Sequence, residues 1–192
     1  MSLIVITPPT EEPVTLAEAK LHCKVDGTDD DTLITALITA AREQAEHRTG
    51  RALCTQTLEA VLDMFPAGIK LEKPPVLSVV SVKYLDTDGI LQTLDPSAYE
   101  LDKDSAPGWL VPAYGLIWPV TRPVPNAVRV RYTAGYGAAA AVPKSIKAWM
   151  MMAVSTMYNQ REGFTVGNMN VANELPRDFF AGLLDPYWVP GL

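Results

Sequence analysis

Cysteine is scarce: Cys23 and Cys54 are the only two in 192 residues. Their spacing fits neither a CxxC redox pair nor a zinc knuckle, and the natural compartment for such a chain is a reducing one. Histidine is equally sparse, with two residues. His22 and Cys23 are sequence neighbours and point to different faces of a helix, so they do not make half of a zinc site with His47 and Cys54. Cations are outnumbered, 16 Lys and Arg against 22 Asp and Glu, for a net charge of -6. No block of basic residues rises above that background, which argues against a protein that wraps DNA, because phosphate affinity comes mainly from clustered cations. No apolar run approaches the roughly 20 residues needed to cross a bilayer. The opening MSLIVITPPT has no basic n-region, and its apolar run stops at Thr7, unlike a usual signal peptide.

Phosphate and calcium motifs are missing as well. The stretch GYGAAAA after Ala134 follows a strand and precedes a helix, but it lacks the GxxxxGK and Ser or Thr of a P-loop and offers only alanine side chains. Gly135 and Gly137 are read instead as a strand-to-helix hinge. DGTDDD resembles a calcium loop superficially, yet Gly27 sits second and Leu37 takes the place of the closing Glu. The aspartates suit a helix cap. No serine, cysteine or carboxylate stands out with a base and an orienting group as a nucleophile would need. The expectation is no enzyme, no cofactor and no metal.

What is present is a clear order of elements. PPTEEP is an extended lead-in. Thr15 to Glu18, TLAE, reads as a capping box, in which the threonine hydroxyl accepts from the third helical amide and the glutamate reaches back. A short helix is expected over 16–23. A second, capped by Asp29, Asp30 and Asp31, places Leu33, Ile34, Leu37, Ile38, Ala41 and Ala45 on one stripe, with Arg42, Glu43, Glu46 and Arg48 elsewhere, and stops at Gly50. From Thr55 the period changes to two, with Leu58, Ala60, Leu62 and Met64 on one face and Thr57, Glu59, Val61 and Asp63 on the other. Strand signals continue over 76–85, and Asp86-Thr87-Asp88-Gly89 turns the chain into 90–94. Prolines 107, 112, 119, 123 and 125 place Trp109, Tyr114 and Trp118 on short edge pieces and loops. Another strand covers 127–133.

Pro143 then opens a helix with Ile146, Trp149, Met150, Ala153 and Met157 at 3–4 spacing, reaching about residue 160, or about 27 Å. Residues 163–173 read as a loose connector and 175–184 as a short amphipathic helix before an aromatic tail. The fold class is therefore α+β: a helical body, made of the N-terminal helices and the long helix after Pro143, with an inserted antiparallel β region. The whole chain, 1–192, reads as one domain, with 10–50 helical, 55–134 mainly β, 143–162 the long helix and 163–192 a tether and tail.

Three features point to contact surfaces. Lys144 and Lys147 lie in the first turn of the long helix, where the macrodipole disfavours cations, so either acidic neighbours on the same chain or an adjacent subunit compensate them or they are exposed lysines that a buried helix tolerates. Met150, Met151 and Met152 face nearly three sides of one helix, which puts at least Met151 in line for a second protein surface. Phe179, Phe180, Tyr187 and Trp188 follow a glycine-containing tether and either pack back or dock on a neighbour.

The serial pattern EPVTLAEAKLHCKVD, DDDTLITALITAAREQAEHRTGRAL, TQTLEAVLDMFP, LEKPPVLSVVSVKYLDTDG, VRVRYTAGYG and VPKSIKAWMMMAVSTMYNQRE resembles the head-tail connector (head completion or adaptor) proteins of tailed bacteriophages and prophages. The likeness spans about residues 10 to 162, with LPRDFFAGLLDPY resembling the closing element. The resemblance implies a structural subunit without an active site, made in the bacterial cytoplasm and ending in the virion neck. Its expected partners are copies of itself in a ring homo-oligomer, the portal protein, a neck or tail completion protein, and DNA that passes through the channel without sequence-specific binding. No membrane is involved. A ring needs two different, complementary faces, and an acidic wall lets DNA pass without holding it. The alternatives are a DNA-packaging accessory that binds nucleic acid, which requires a basic face, and a small-ligand or enzyme module, which requires a deep pocket with a perturbed titratable group.

Overall fold

A computed structural model describes residues 1–160 and 181–189. Its elements run β1 (Ser2–Thr7), α1 (Leu16–Cys23), α2 (Asp31–Thr49), β2 (Gln56–Leu62), β3 (Ile69–Leu71), β4 (Val76–Leu85), β5 (Leu91–Thr93), β6 (Tyr99–Asp102), β7 (Gly108–Pro112), β8 (Val128–Ala134) and α3 (Lys144–Asn159), with short 3-10 turns between and after them. The α+β class holds: among the described residues three helices form the body, and strands β2 to β8 are inserted between α2 and α3, while β1, from before α1, adds to the edge of the larger sheet.

Local chemistry sets the helix ends. The Thr15 hydroxyl accepts from the Glu18 amide while the Glu18 carboxylate accepts from the Thr15 amide, a complete capping box. Lys24 closes α1 with a left-handed backbone, φ 57°, and Gly50 closes α2 at φ 68°. At the start of α2 the expected aspartate cap is absent, because the Asp30 carboxylate accepts from the Tyr158 hydroxyl of α3 instead of from its own helix. Pro143 is the residue just before α3, and the helix ends at Asn159.

Two cores result. In the helical body, Ile34, Ile38, Ala41 and Ala45 of α2 meet Ile146, Trp149, Met150 and Val154 of α3 and Ala19 of α1. The spacing of the α2 stripe is as expected for most members, but Leu33 is exposed. Arg42 and Glu46, expected on the polar side, are buried. The reason is a third neighbour: the 8–15 lead-in and the chain after Gly50 both lie against α2, so its polar flank is covered too.

The larger sheet has the order β1-β2-β8-β4-β5, all neighbours antiparallel. The smaller has β3-β7-β6, also antiparallel. Between them sits the second core, built from Leu58, Ala60, Val82, Val128, Val130 and Tyr132 of the first sheet and Ile69, Leu71 and Leu110 of the second. The alternation in β2 inverts no side chain, but the strand stops at Leu62, leaving Met64 exposed beyond it. Trp109 departs from expectation, since β7 is the middle strand of its sheet and not an edge piece. Pro112 is tolerated there because it is the last residue of the strand. Residues 2–7, read only as an apolar run, form the β1 edge strand. The expected connector over 163–173, and the part of the expected 175–184 helix that precedes residue 181, lie outside the described residues. The chain reappears in a 3-10 turn, Ala181–Leu183.

Candidate assembly surfaces

The glycine turn between β8 and α3 is held on several sides. The Gly135 amide donates to the Pro75 carbonyl at 2.9 Å, the Tyr136 amide to the Leu53 carbonyl at 2.9 Å, and the Gly137 carbonyl accepts from the Thr55 amide at 3.1 Å. Gly135 has φ 129°, and a Cβ there would lie 2.5 Å from the Cys54 carbonyl oxygen. The turn therefore joins the sheet to the helical body by close backbone approach, which only glycine permits.

The tail returns to this turn. The Tyr187 hydroxyl accepts from the Ser145 hydroxyl at 3.0 Å, and the Tyr187 carbonyl accepts from Arg51 Nε at 2.6 Å. Arg51 also reaches Tyr136, whose hydroxyl is pushed to a higher pKa first by burial. Of the residues singled out in the sequence, the structure thus brings Tyr187, the start of α3 and the glycine turn together. Leu184 is buried in the helical core and Val189 is buried where its amide meets the end of α2, whereas Trp188 is exposed. Met151 is half-buried against that core. Phe179 and Phe180 lie outside the described residues.

Lys144 is exposed at the first position of α3, and Lys147 is half-buried one turn later. The acidic neighbour of Lys147 is Glu18 of α1. The Glu18 carboxyl is held below its ordinary value, mainly by the hydrogen bonds from the Thr15 amide and hydroxyl, with a smaller attraction from Lys147.

Two buried acids organise the polar interior. Glu46 Oε1 accepts from the Leu53 amide at 3.0 Å and from Gln56 Nε2 at 2.9 Å, while Oε2 pairs with Arg42 NH1 at 3.4 Å. Arg42 Nε in turn donates to Glu12 at 2.9 Å. Glu59 is buried on the outer side of the large sheet, where Arg129 NH1 donates to one oxygen at 3.1 Å and Arg131 NH2 to the other at 2.9 Å. Burial also raises the Cys54 thiol to about 11, with Glu11, Glu12 and Glu46 adding to the effect, so it is a packed thiol and not a nucleophile. Among the described residues, no three His, Cys, Asp or Glu side chains gather as metal ligands. No helix among them is long and apolar enough to cross a membrane.

Sequence reasoning missed two exposed apolar surfaces. One is the edge strand β1, which shows Ile4, Val5 and Ile6. The other is the loop after β7, where Tyr114, Leu116, Ile117 and Val120 are exposed while Trp118 anchors the loop by stacking on Phe65 at 4.8 Å. The signals were the uncharged SLIVIT and the run LIWPV, both short enough to pass for core strand.

Comparison with known proteins gives these surfaces a setting. Residues 13–84 match the family of phage gp6-like head-tail connector proteins. The match runs from the lead-in before α1 almost to the end of β4, and it bears out the resemblance read from the sequence. Solved structures extend the likeness in fold to the whole chain. A chain of the structure described as "Neck of empty GTA particle computed with C6 symmetry" superposes with a TM-score of 0.81 at 20% identity, covering 100% of this chain and 97% of that one. A chain of "Virion of native gene transfer agent (GTA) particle" gives 0.78 at 19% identity, with coverage of 100% and 97%. The same values hold for a chain of "Neck of native GTA particle computed with C12 symmetry". At this identity the likeness shows a common fold. No curated protein matches the chain significantly in sequence.

Proposed function

We propose that this chain is a structural head-tail connector subunit, placed as a ring in the neck of a phage-like particle, on the path by which DNA leaves the capsid. The observation that carries the reading is the connector-family match over residues 13–84, which takes in α1, α2 and the strands up to β4. The whole-chain fold likeness to neck subunits solved with C6 and C12 symmetry supports a ring. In this reading the subunit performs no chemical conversion; among the described residues, the buried acids Glu46 and Glu59 are held by arginine or amide partners, in keeping with a structural role.

In this reading copies of the chain are the first partners, the portal protein and a neck or tail completion protein the axial ones, and DNA passes without sequence-specific contact. Lys144, Lys147, Met151 and the aromatic tail are the side chains proposed to meet partners, and Gly135 and Gly137 the joint between sheet and body. The test is mass measurement of the purified chain alone and mixed with its portal protein. A closed ring in either sample supports the reading. A chain that stays monomeric in both, or that turns over a substrate, overturns it.

A further inference from the structure

The larger sheet has two lateral edges, and among the described residues both are open. On one side β1 has β2 as its one strand partner there. On the other, β5 covers β4 at Lys83, Tyr84 and Leu85, and the Leu94 amide donates to the Val82 carbonyl, so residues 77–81 have β8 on one flank and no strand on the other among the described residues. An exposed strand edge is a template for another chain, and proteins that must stay apart guard such edges with charge, proline or shortness. The smaller sheet is guarded in this way, by Lys70 in β3 and by Glu100 and Asp102 in β6. The two edges of the larger sheet lack charge and proline, although β4 carries bulges. Residues 2–7 read SLIVIT and 76–82 read VLSVVSV, with no charge in either. Ile4 and Val5 are 44% and 55% exposed on one edge, and Leu77 and Val80 are 42% and 56% exposed on the other.

Strand direction makes the edges complementary. Because every neighbouring pair is antiparallel, β1 and β8 run one way and β2 and β4 the other. A second copy set beside the first in the same orientation, as rotation about an axis along the strands requires, presents its β1 antiparallel to the first copy's β4. The uncovered part of β4 and the six residues of β1 are of like length. Register shifts in β4 between Val76 and Ser78 and between Val79 and Ser81 insert Leu77 and Val80 as bulge residues. Bulges bend a strand and tighten its twist, which supplies curvature to a sheet that continues around an axis. Since the two edges differ, the contact is head-to-tail and repeats until it closes.

We propose that β1 of one copy adds to the open edge of β4 in the next, so that neighbouring subunits are joined by a shared sheet. This rests on the ring reading above and names the surface that builds the ring. The apolar side chains flanking the shared edge exclude water from the new ladder, and main-chain hydrogen bonds hold its register.

The test uses the full chain carrying Val5→Lys or Val80→Lys, each a charge placed at an exposed edge position, compared with wild type by native mass spectrometry alone and with the portal protein. The expected result is loss of the ring species in both variants, with the thermal midpoint of the monomer unchanged. A second measurement does not depend on how those variants fold. In a Cys23→Ser background, one cysteine at positions 3–6 is combined with one at 77–80, and mild oxidation is expected to give a ladder of covalent multimers for at least one pair, while single cysteines stop at dimers. If wild type forms rings, both lysine variants form them equally and no cysteine pair gives the ladder, the shared edge is wrong and the ring reading stands. If wild type gives no species above monomer in either condition, the ring reading fails and takes this inference with it.

Discussion

The Val189 amide donates to the Thr49 carbonyl across 3.0 Å, so the last described turn of the chain satisfies one of the carbonyls left open at the C-terminal end of α2. Val189 and Leu184 are buried there beside the helical core.

The first prediction follows from that contact. Leu184→Ala removes a buried side chain and is expected to cost about 2–5 kcal/mol of stability in urea unfolding of the monomer. Trp188→Ala, at an exposed neighbour, is expected to change it by about 0.5 kcal/mol or less. Equal effects would mean that this segment does not pack on its own chain in solution.

Legibility in the sequence divided along the range of the interactions. Helix α1 and its capping box could be read because all of the signal lies within 15–23, and β4 because its boundary residues are punctuated by Pro75 and by the Asp86 turn. The burial of Arg42 and Glu46 could not, since it depends on Glu12, Leu53 and Gln56 coming from chain on both sides of α2. Strand β1 was equally hidden: its partner β2 lies some fifty residues on, and the apolar run of four, Leu3 to Ile6, has no periodicity of its own to declare a strand. The contact surfaces fared likewise. The tail aromatics and lysines could be picked out by residue type, but which edge of the sheet is left open is a property of topology and not of any short segment.

The Arg42–Glu46 pair gives the second prediction. Glu46→Ala leaves the Leu53 amide and the Gln56 side-chain amide without their acceptor in a buried site and takes one carboxylate from Arg42, which keeps Glu12. Loss of one partner of a buried ion pair costs roughly 3–5 kcal/mol. Because neither charge of the pair is then left without the other, the double variant Arg42→Met with Glu46→Leu, which retains apolar volume, is expected to lose less than the sum of Arg42→Met and Glu46→Leu made singly. Denaturant titration of the four-member cycle checks both statements, and strict additivity would show that the pair is uncoupled.

The third concerns the turn into α3. At Gly135 a Cβ meets the Cys54 carbonyl carbon and oxygen at 2.6 and 2.5 Å, whereas at Gly137 its nearest neighbour is the Ala141 Cβ at 3.9 Å. Both residues have positive φ, 129° and 110°. Gly137→Ala should therefore cost only backbone strain, about 1–3 kcal/mol. Gly135→Ala should cost clearly more, since the clash is with main chain that cannot move without breaking the Tyr136–Leu53 and Thr55–Gly137 hydrogen bonds. Thermal unfolding of the two variants ranks them, and the opposite order would refute the close approach of β8 to the Cys54 backbone.

The fourth is a pH dependence. The Glu18 carboxyl lies below its ordinary value of 4.5, first through the Thr15 amide, then through the Thr15 hydroxyl, with burial opposing and Lys147 adding a little. A carboxyl whose pKa is lower in the folded than in the unfolded state contributes its full stabilisation above the unfolded value and loses it as the pH falls through the folded one. Glu18→Gln has no such charge to lose. Wild type is expected to exceed Glu18→Gln in stability at neutral pH, by an amount small enough for an exposed group to shrink further in high salt, and the gap should close as the pH drops below about 4.5. Thr15→Ala is expected to remove about 1 kcal/mol at neutral pH and to flatten the same acid limb. Urea midpoints of the three proteins between pH 7 and pH 3 give the measurement, and a gap that stayed constant across that range would mean that the capping carboxylate is not what the α1 terminus depends on.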